Sequence, residues 1–95
     1  MSELQENQSG AGSPHDRIVG LVERILEHPA GAAPLPVTAR LNELGMSSMK
    51  MISLMLAIEA EFDLSIPQTE ITPENFDSIV SVETLVVKLL GASLT

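Results

Sequence analysis

Two segments at opposite ends of the chain space their apolar residues as an amphipathic helix requires. In each segment these residues recur at i, i+3, i+4, i+7 and i+8, which forms one stripe along a helix. The positions are Ile18, Leu21, Val22, Ile25 and Leu26 in the first segment, and Val82, Leu85, Val86, Leu89 and Leu90 in the last. The start signals Ser13-Pro14 and the break at His28-Pro29 bound the first predicted helix. The second predicted helix begins at Ser81 and ends at Gly91.

A further helix is predicted between them, over Ser48–Phe62, because this run lacks glycine and proline and is rich in helix-forming residues. At about 100° per residue, its apolar side chains fall on two arcs. The first arc carries Met51, Leu54, Met55, Ile58 and Phe62, and the second carries Met49, Ile52, Leu56 and Ala60. A three-helix core needs only the first arc. The second is either covered by the long loop at 29–46 or serves as a docking face, and the pattern leaves both interpretations open.

The composition favours packed helices over a sandwich or barrel. The chain has 95 residues and only two aromatic ones, Phe62 and Phe76, so its core must consist of Leu, Ile, Val and Met. Thr72-Pro73-Glu74 predicts a short helical turn that holds Phe76. We therefore expect an all-α fold, a small four-helix bundle with three longer helices, one short helix and a long first loop. Residues 1–12 are predicted to be a flexible tail, 13–91 the folded domain and 92–95 a second tail.

Charge and hydropathy exclude several classes of partner. The formal net charge of −8 repels nucleic-acid phosphates and anionic lipid head groups. No stretch approaches the roughly 20 apolar residues that cross a bilayer, and the first residues do not resemble a signal peptide. We therefore expect a cytoplasmic monomer that binds neither nucleic acid nor membrane.

Few residues offer chemistry of their own. The sequence has no cysteine, which excludes disulfides, thiolate metal sites and cysteine nucleophiles. His15 and His28 fall near predicted helix ends and are interpreted as surface residues, and the carboxylates are scattered over helix surfaces. No acid and base pair, metal-ligand cluster or phosphate loop emerges, so an enzyme is not expected.

Ser47 and Ser48 stand where the long loop becomes the central helix. Either could be an N-cap, whose side chain accepts a hydrogen bond from a backbone N–H of the first turn. A phosphodiester at this point would also be stabilised by unpaired amides and by the helix dipole. We interpret Ser47 as the cap and Ser48 as a candidate for modification.

These residues carry a family resemblance. Leu44-Gly45-Met46-Ser47-Ser48-Met49 resembles the L-G-x-D-S-[LM] attachment motif of acyl and peptidyl carrier proteins. The similarity continues through Ala57-Ile58-Glu59-Ala60-Glu61-Phe62-Asp63 to Ile66-Pro67, and Ile71-Thr72-Pro73-Glu74-Asn75-Phe76 is similar to many stand-alone carriers. Roughly residues 15–90 match the four-helix carrier fold by pattern.

The resemblance implies that Ser48 accepts 4′-phosphopantetheine from coenzyme A through a separate, magnesium-dependent phosphopantetheinyl transferase. The thiol of this arm would hold a cargo as a thioester and present it to loading ligases and to synthase or transferase enzymes. The positions that contact partners in the family correspond to Ser47, Met49, Ile52, Leu56 and Glu59. No catalytic residue and no metal site is implied within this chain.

The sequence is compatible with three functions. The leading one is an acyl carrier of fatty-acid, polyketide or another specialised biosynthesis, and the alternative is an aminoacyl or peptidyl carrier. An unmodified helical interaction module is a third interpretation, which leaves the in-register serine unexplained. Ser47 replaces the usual aspartate, and Lys50 and Ser53 lie in a usually acidic stretch. Fatty-acid biosynthesis and lipid metabolism are among the expected pathways, but these departures weaken the case for a housekeeping fatty-acid carrier and favour a specialised pathway.

Overall fold

The computed structural model describes residues 12–29 and 31–93. Three α-helices, α1 (Pro14–Leu26), α2 (Ser48–Phe62) and α3 (Ile79–Ser93), are joined by loops that contain the short 3₁₀ helices Leu41–Leu44 and Gln68–Glu70. These ranges contain no strand, which confirms the all-α prediction. None of the helices in them combines the length and the apolar character that a membrane span requires. The predicted tail at 1–12 lies outside the described residues except for Gly12.

Helix α1 begins as its sequence predicts. The Ser13 backbone is extended, and its Oγ accepts a hydrogen bond from the Asp16 amide at 3.2 Å, with Pro14 in the first turn. The helix ends at Leu26 because Glu27 takes the left-handed conformation, at φ 57°, and the His28 amide then donates to the Glu23 carbonyl at 2.8 Å. This terminal turn, which satisfies carbonyls of the last turn, precedes Pro29 and ends the helix before it.

Helix α2 has the predicted bounds, Ser48–Phe62, but a different stop signal. Asp63 takes the left-handed conformation directly after Phe62, at φ 52°. The Leu64 amide donates to the Glu59 carbonyl at 3.1 Å, so the chain has left the helix before it reaches Ile66-Pro67.

Helix α3 is longer than predicted at both ends. It begins at Ile79 rather than Ser81, because the buried Ser78 is the capping residue and its Oγ accepts from the Ser81 amide at 3.2 Å. It continues through Gly91 to Ser93, so Gly91 does not end it and the helix includes part of the predicted tail at 92–95. A glycine inside a helix costs only about 1 kcal/mol, which its neighbours can offset.

The predicted short fourth helix is a single turn. The Phe76 amide donates to the Thr72 carbonyl at 3.3 Å, and the Asn75 amide donates to Thr72 Oγ1 at 3.2 Å. The turn does not propagate into a regular helix, but it buries Phe76 as expected.

One hydrophobic core joins the three helices, and the first arc of α2 faces it. Leu54 and Ile58 are fully buried and Phe62 nearly so. The other buried apolar side chains come from α1, α3 and the connecting segments: Ile18, Leu21, Val22, Leu41, Met46, Ile66, Phe76, Ile79, Val82, Leu85, Val86 and Leu89. At about 0.8 kcal/mol per buried CH₂, these side chains supply the main driving force for folding.

Two polar contacts fasten α1 to its neighbours. The Arg17 guanidinium lies 4.4 Å from the centre of the Phe62 ring, and its Nε and Nη2 donate to Glu61 Oε2 at 2.8 Å and to the Glu61 carbonyl at 2.7 Å. On the other side, His15 Nδ1 lies 2.6 Å from Glu83 Oε1 of α3. This hydrogen bond to Glu83 raises the pKa of His15.

The long loop at 29–46 is anchored rather than draped over α2. Its Leu41 is buried, and Leu35, Val37 and Leu44 pack against the core from partly exposed positions. The Leu41 amide donates to the Asp77 carbonyl at 2.8 Å, and the Val80 amide donates to the Val37 carbonyl at 3.1 Å. These two bonds hold the loop against Asp77, just before α3, and against Val80 in the first turn of α3.

Candidate functional site

Ser47 is the N-cap of α2, as its position predicts. Its backbone is extended, its Oγ accepts a hydrogen bond from the Lys50 amide at 3.2 Å, and its carbonyl accepts from the Met51 amide at 2.8 Å. A side-chain oxygen in this position satisfies one of the amides that have no partner within the helix. Ser47 is therefore occupied with helix initiation.

Ser48, the first residue of α2, is exposed. The Lys50 amide donates to Ser47, so the amides of Ser48 and Met49 are the ones in the first turn that have no acceptor within the helix. They point toward the space beyond the helix start, where the helix dipole also favours negative charge. The hydroxyl of Ser48 thus meets the two needs of a phosphodiester attachment point, namely access for an enzyme and favourable surroundings for an anion.

The approach to Ser48 is fixed by the preceding turn. Gly45 has φ 102°, a conformation that other residues rarely adopt, and its amide donates to the Asn42 carbonyl at 3.3 Å. The next residue, Met46, is 4% exposed, and its amide donates to the Leu41 carbonyl at 3.0 Å. The buried Met46 and the left-handed Gly45 hold the loop so that the two serines emerge at the surface.

The second arc of α2 is open to solvent. Met49 is 75% exposed, Ile52 53% and Leu56 61%, and Ala60 continues the arc. The described part of the long loop lies elsewhere, so it does not bury these side chains. The structure therefore decides between the two sequence interpretations in favour of an uncovered apolar face, which we call the α2 face (Met49, Ile52, Leu56 and Ala60). An uncovered apolar face is a candidate surface for contact with a partner.

Two carboxylates that border the α2 face already have partners within the chain. Glu59 Oε2 accepts a hydrogen bond from the Ile66 amide at 2.8 Å, and Glu61 is held by Arg17. Glu59, which the resemblance placed among partner-contacting residues, thus has a local role in fastening the turn after α2.

A groove of about 410 Å³, which was not predicted from the sequence, runs beside the helix. Its walls are Met51 and Met55 of α2, the segment Ile71, Thr72, Pro73, Phe76 and Asp77, and Asn42. Ser48 and Met55 are seven residues apart, which places them on nearly the same side of α2 and about 10 Å apart along its axis. The groove therefore begins within reach of a flexible group on Ser48. The Thr-Pro-Glu-Asn-Phe stretch, which is similar to other carriers, was the available signal.

The outer wall of this groove is fastened to α3. Lys88 Nζ donates to Glu70 Oε2 at 2.9 Å, and Asn75 Nδ2 donates to the Glu70 carbonyl at 2.8 Å. The hydrogen bond from the Lys88 ammonium lowers the pKa of the Glu70 carboxyl.

The remaining chemistry-bearing residues lie apart from Ser48. His15 pairs with Glu83 between α1 and α3, and His28 Nε2 donates to the Ala33 carbonyl at 2.7 Å. In residues 12–29 and 31–93, no three His, Asp or Glu side chains converge as metal ligands.

Comparisons with known proteins identify the family of the chain. The family model described as "Phosphopantetheine attachment site" matches residues 16–87. Two proteins of Bradyrhizobium diazoefficiens are similar over most of their length. Aminoacyl carrier protein 1 is 51% identical over 75 residues, which cover 79% of this chain and 83% of the relative. Aminoacyl carrier protein 2 is 44% identical over 77 residues, which cover 81% and 86%.

Two crystal structures of Bradyrhizobium japonicum glycine:[carrier protein] ligase contain a chain with the same fold. In the complex with glycylated carrier protein, the match has a TM-score of 0.64 and 49% identity and covers 77% of this chain and 99% of that one. In the complex with cognate carrier protein and an analogue of glycyl adenylate, the TM-score is 0.66 at 49% identity, with 80% and 99% covered. These relatives agree better with the aminoacyl alternative than with the leading acyl interpretation.

A match to the family model over 72 residues, from 16 to 87, shows the family directly. The cofactor of this family is covalently attached 4′-phosphopantetheine, and the exposed hydroxyl and free amides at the start of α2 fit such a group. The chain therefore belongs to the phosphopantetheine-attachment family of acyl and peptidyl carrier proteins, which carry a cargo between separate enzymes and are not themselves catalytic.

Proposed function

We propose that this chain is an aminoacyl carrier protein, with 4′-phosphopantetheine on Ser48 and an amino acid held as a thioester on that arm. The observation that carries the proposal is the division of labour at the start of α2. Ser47 Oγ is engaged with the Lys50 amide at 3.2 Å, whereas the neighbouring Ser48 is exposed. The similarity to two aminoacyl carrier proteins supports the choice of an amino acid over a fatty acyl group.

The attachment chemistry needs little from the chain itself. The Ser48 oxygen forms a bond to the phosphorus next to the pantetheine of coenzyme A, and the bond from that phosphorus to the adenosine bisphosphate breaks. The transferase and its magnesium ion supply the base and the charge stabilisation, so no general base is required beside Ser48. The chain provides an accessible hydroxyl and the first-turn amides of α2, which stabilise the anionic phosphodiester.

The arm supplies a terminal thiol, which explains how a chain without cysteine takes part in thioester chemistry. We propose that an amino acid:carrier ligase loads this thiol and contacts the α2 face, next to Ser48. Support comes from the exposure of Met49, Ile52 and Leu56 and from the likeness to the chain in complexes of a glycine:[carrier protein] ligase.

The test has two stages. The purified chain is first incubated with coenzyme A, magnesium and a broad-specificity phosphopantetheinyl transferase, and its intact mass is measured. We expect the gain of one arm in the wild type and in Ser47→Ala, and no gain in Ser48→Ala. Labelling of Ser48→Ala, or no labelling of the wild type, would reject Ser48 as the attachment point.

In the second stage the pantetheinylated chain is incubated with ATP, glycine and the Bradyrhizobium japonicum glycine:[carrier protein] ligase. The expected result is a further mass gain of one glycyl group that neutral hydroxylamine removes, as it does from thioesters. The same reaction is run with other amino acids and the ligases that activate them. If acyl-loading enzymes charge the arm and no amino acid is accepted, the cargo belongs to the acyl class and the aminoacyl proposal fails.

A further inference from the structure

The charges that remain free around the α2 face are few and unequally placed. Glu59 and Glu61 are engaged with the Ile66 amide and with Arg17, as described above. The side chains of Lys50 and Asp63 form no ion pair and no hydrogen bond with other described residues. The charged side chains of α2 and its cap that make no contact within the described chain are therefore one cation, Lys50, and one anion, Asp63.

These two charges lie at opposite ends of the α2 face. Lys50 is in the first turn of α2, two residues after Ser48, and Asp63 follows the last residue of the helix. Thirteen residues at 1.5 Å per residue separate them by about 20 Å along the helix axis. Asp63 is exposed and directly follows the helix, whereas Lys50 is half-buried and lies beside Ser53 on the flank of α2, about 100° around the helix from Met49. Between them, the surface consists of Met49, Ile52 and Leu56.

The face is thus apolar in the middle, positive near the attachment serine and negative at its far end. This polarity is local, since the whole chain has a net charge of −8. A partner that reads only the overall charge would present a basic surface everywhere, and it would repel Lys50 at the point closest to Ser48.

We propose that Lys50 and Asp63 set the orientation in which the loading ligase docks on the α2 face. The ligase surface that fits has an apolar centre, a carboxylate facing Lys50 beside the entrance for the arm, and a basic side chain about 20 Å away, facing Asp63. This inference rests on the proposed function and adds the chemistry of the partner surface. Burial of the methionine and aliphatic side chains supplies affinity, and the two charges select one of the two directions along the helix.

The test uses full-length chains that carry the arm, with complete attachment verified by intact mass. Loading by the ligase of the preceding experiment is measured as kcat/KM for wild type, Lys50→Glu, Asp63→Lys and a matched control, Arg24→Glu. Arg24 is exposed in the last turn of α1 and forms no ion pair in the described part of the chain, so its replacement changes the net charge as Lys50→Glu does, away from the face. Circular dichroism confirms that each variant is folded.

The expected result is a loss of about fivefold or more in kcat/KM for Lys50→Glu and for Asp63→Lys, mainly through KM, with Arg24→Glu within about twofold of wild type. The deficit of Lys50→Glu should shrink as salt is raised, because exposed charges are screened. Equal loading of Lys50→Glu and wild type would overturn the inference and leave the proposed function intact. An equal loss in Arg24→Glu would also overturn it, because net charge would then be the cause. Failure of every amino acid:carrier ligase tried to load the wild type would instead reject the proposed function.

Discussion

Exchanging the two neighbouring serines for alanine should separate stability from modification. Ser47→Ala removes the hydroxyl that accepts from the Lys50 amide at 3.2 Å. Loss of such an N-cap costs about 0.5–2 kcal/mol. Since the pair is exposed and water can replace the lost acceptor in part, we expect the lower half of this range, about 0.5–1 kcal/mol. For a domain of this size, that corresponds to a fall in Tm of about 2–6 °C.

Ser48→Ala should behave in the opposite way. The Ser48 side chain is exposed and makes no hydrogen bond within the described chain, and alanine is a good helix former. Its free energy of unfolding should therefore stay within about 0.5 kcal/mol of wild type. Urea unfolding followed by far-UV circular dichroism measures both variants, with Ser47→Asp as the control that keeps a capping oxygen. The reasoning is refuted if Ser48→Ala is the less stable of the two, or if Ser47→Asp is no more stable than Ser47→Ala.

Three further predictions test the packing and the electrostatics. Leu54→Ala, at a fully buried position, should lower the free energy of unfolding by about 3 kcal/mol. Leu56→Ala, at a position that is 61% exposed, should change the free energy of unfolding by less than about 0.5 kcal/mol while weakening ligase docking. Similar losses for the two variants in chemical denaturation would contradict the assignment of the two arcs. Arg17→Ala should lower the free energy of unfolding by about 1–2 kcal/mol, because the contacts with Phe62 and Glu61 are lost. Arg17→Lys should restore only part of this free energy in the same assay. An unchanged denaturation midpoint in Arg17→Ala would show that the contacts are not stabilising. Because Glu83 raises the pKa of His15 above 6.5, the pair contributes its full stabilisation below that pH, and this stabilisation is lost as the pH rises through the raised pKa. The difference in Tm between wild type and His15→Gln should therefore shrink with rising pH. A constant difference would refute the pairing.

The helix starts were predictable where a single side chain carries the signal. Ser13 and Ser47 both cap helices as expected. A serine that precedes a proline or a run of helix-forming residues is well placed to accept a hydrogen bond from an amide of the first turn. The start of α3 was predicted at Ser81, two residues too late, because the capping role of Ser78 depends on its burial, which the sequence does not show. The hydroxyls of Ser78 and Ser81 form a hydrogen bond at 3.0 Å, and the buried Ser78 is the residue that caps the helix.

The helix ends were less predictable, and so was the groove. Glu27 and Asp63 take left-handed conformations that sequence patterns associate with glycine or asparagine, so the stops of α1 and α2 were assigned to the later prolines instead. The groove is formed by side chains of α2 and by a turn about 20 residues further along the chain. The Thr-Pro-Glu-Asn-Phe stretch was a signal for the turn, but it does not report that the turn lies beside α2. In contrast, the exposed arc of Met49, Ile52 and Leu56 was visible in sequence as an excess of apolar residues. Only the course of the loop at 29–46 could show that it is uncovered.

The backbone bonds before α2 bear on how far a tethered cargo can travel. The Leu41 amide is bonded to the Asp77 carbonyl and the Met46 amide to the Leu41 carbonyl, so the residues that lead to Ser48 are tied to the far half of the chain. The end of an arm whose attachment point is held in place can reach a volume that is set by the length of the arm. The effective concentration of its end at any neighbouring active site then depends on where that enzyme docks, and not on motion of the carrier's backbone. Loss of the Leu41–Asp77 hydrogen bond would let the attachment point move, which would lower the effective concentration of the cargo at a docked enzyme although the arm itself is unchanged.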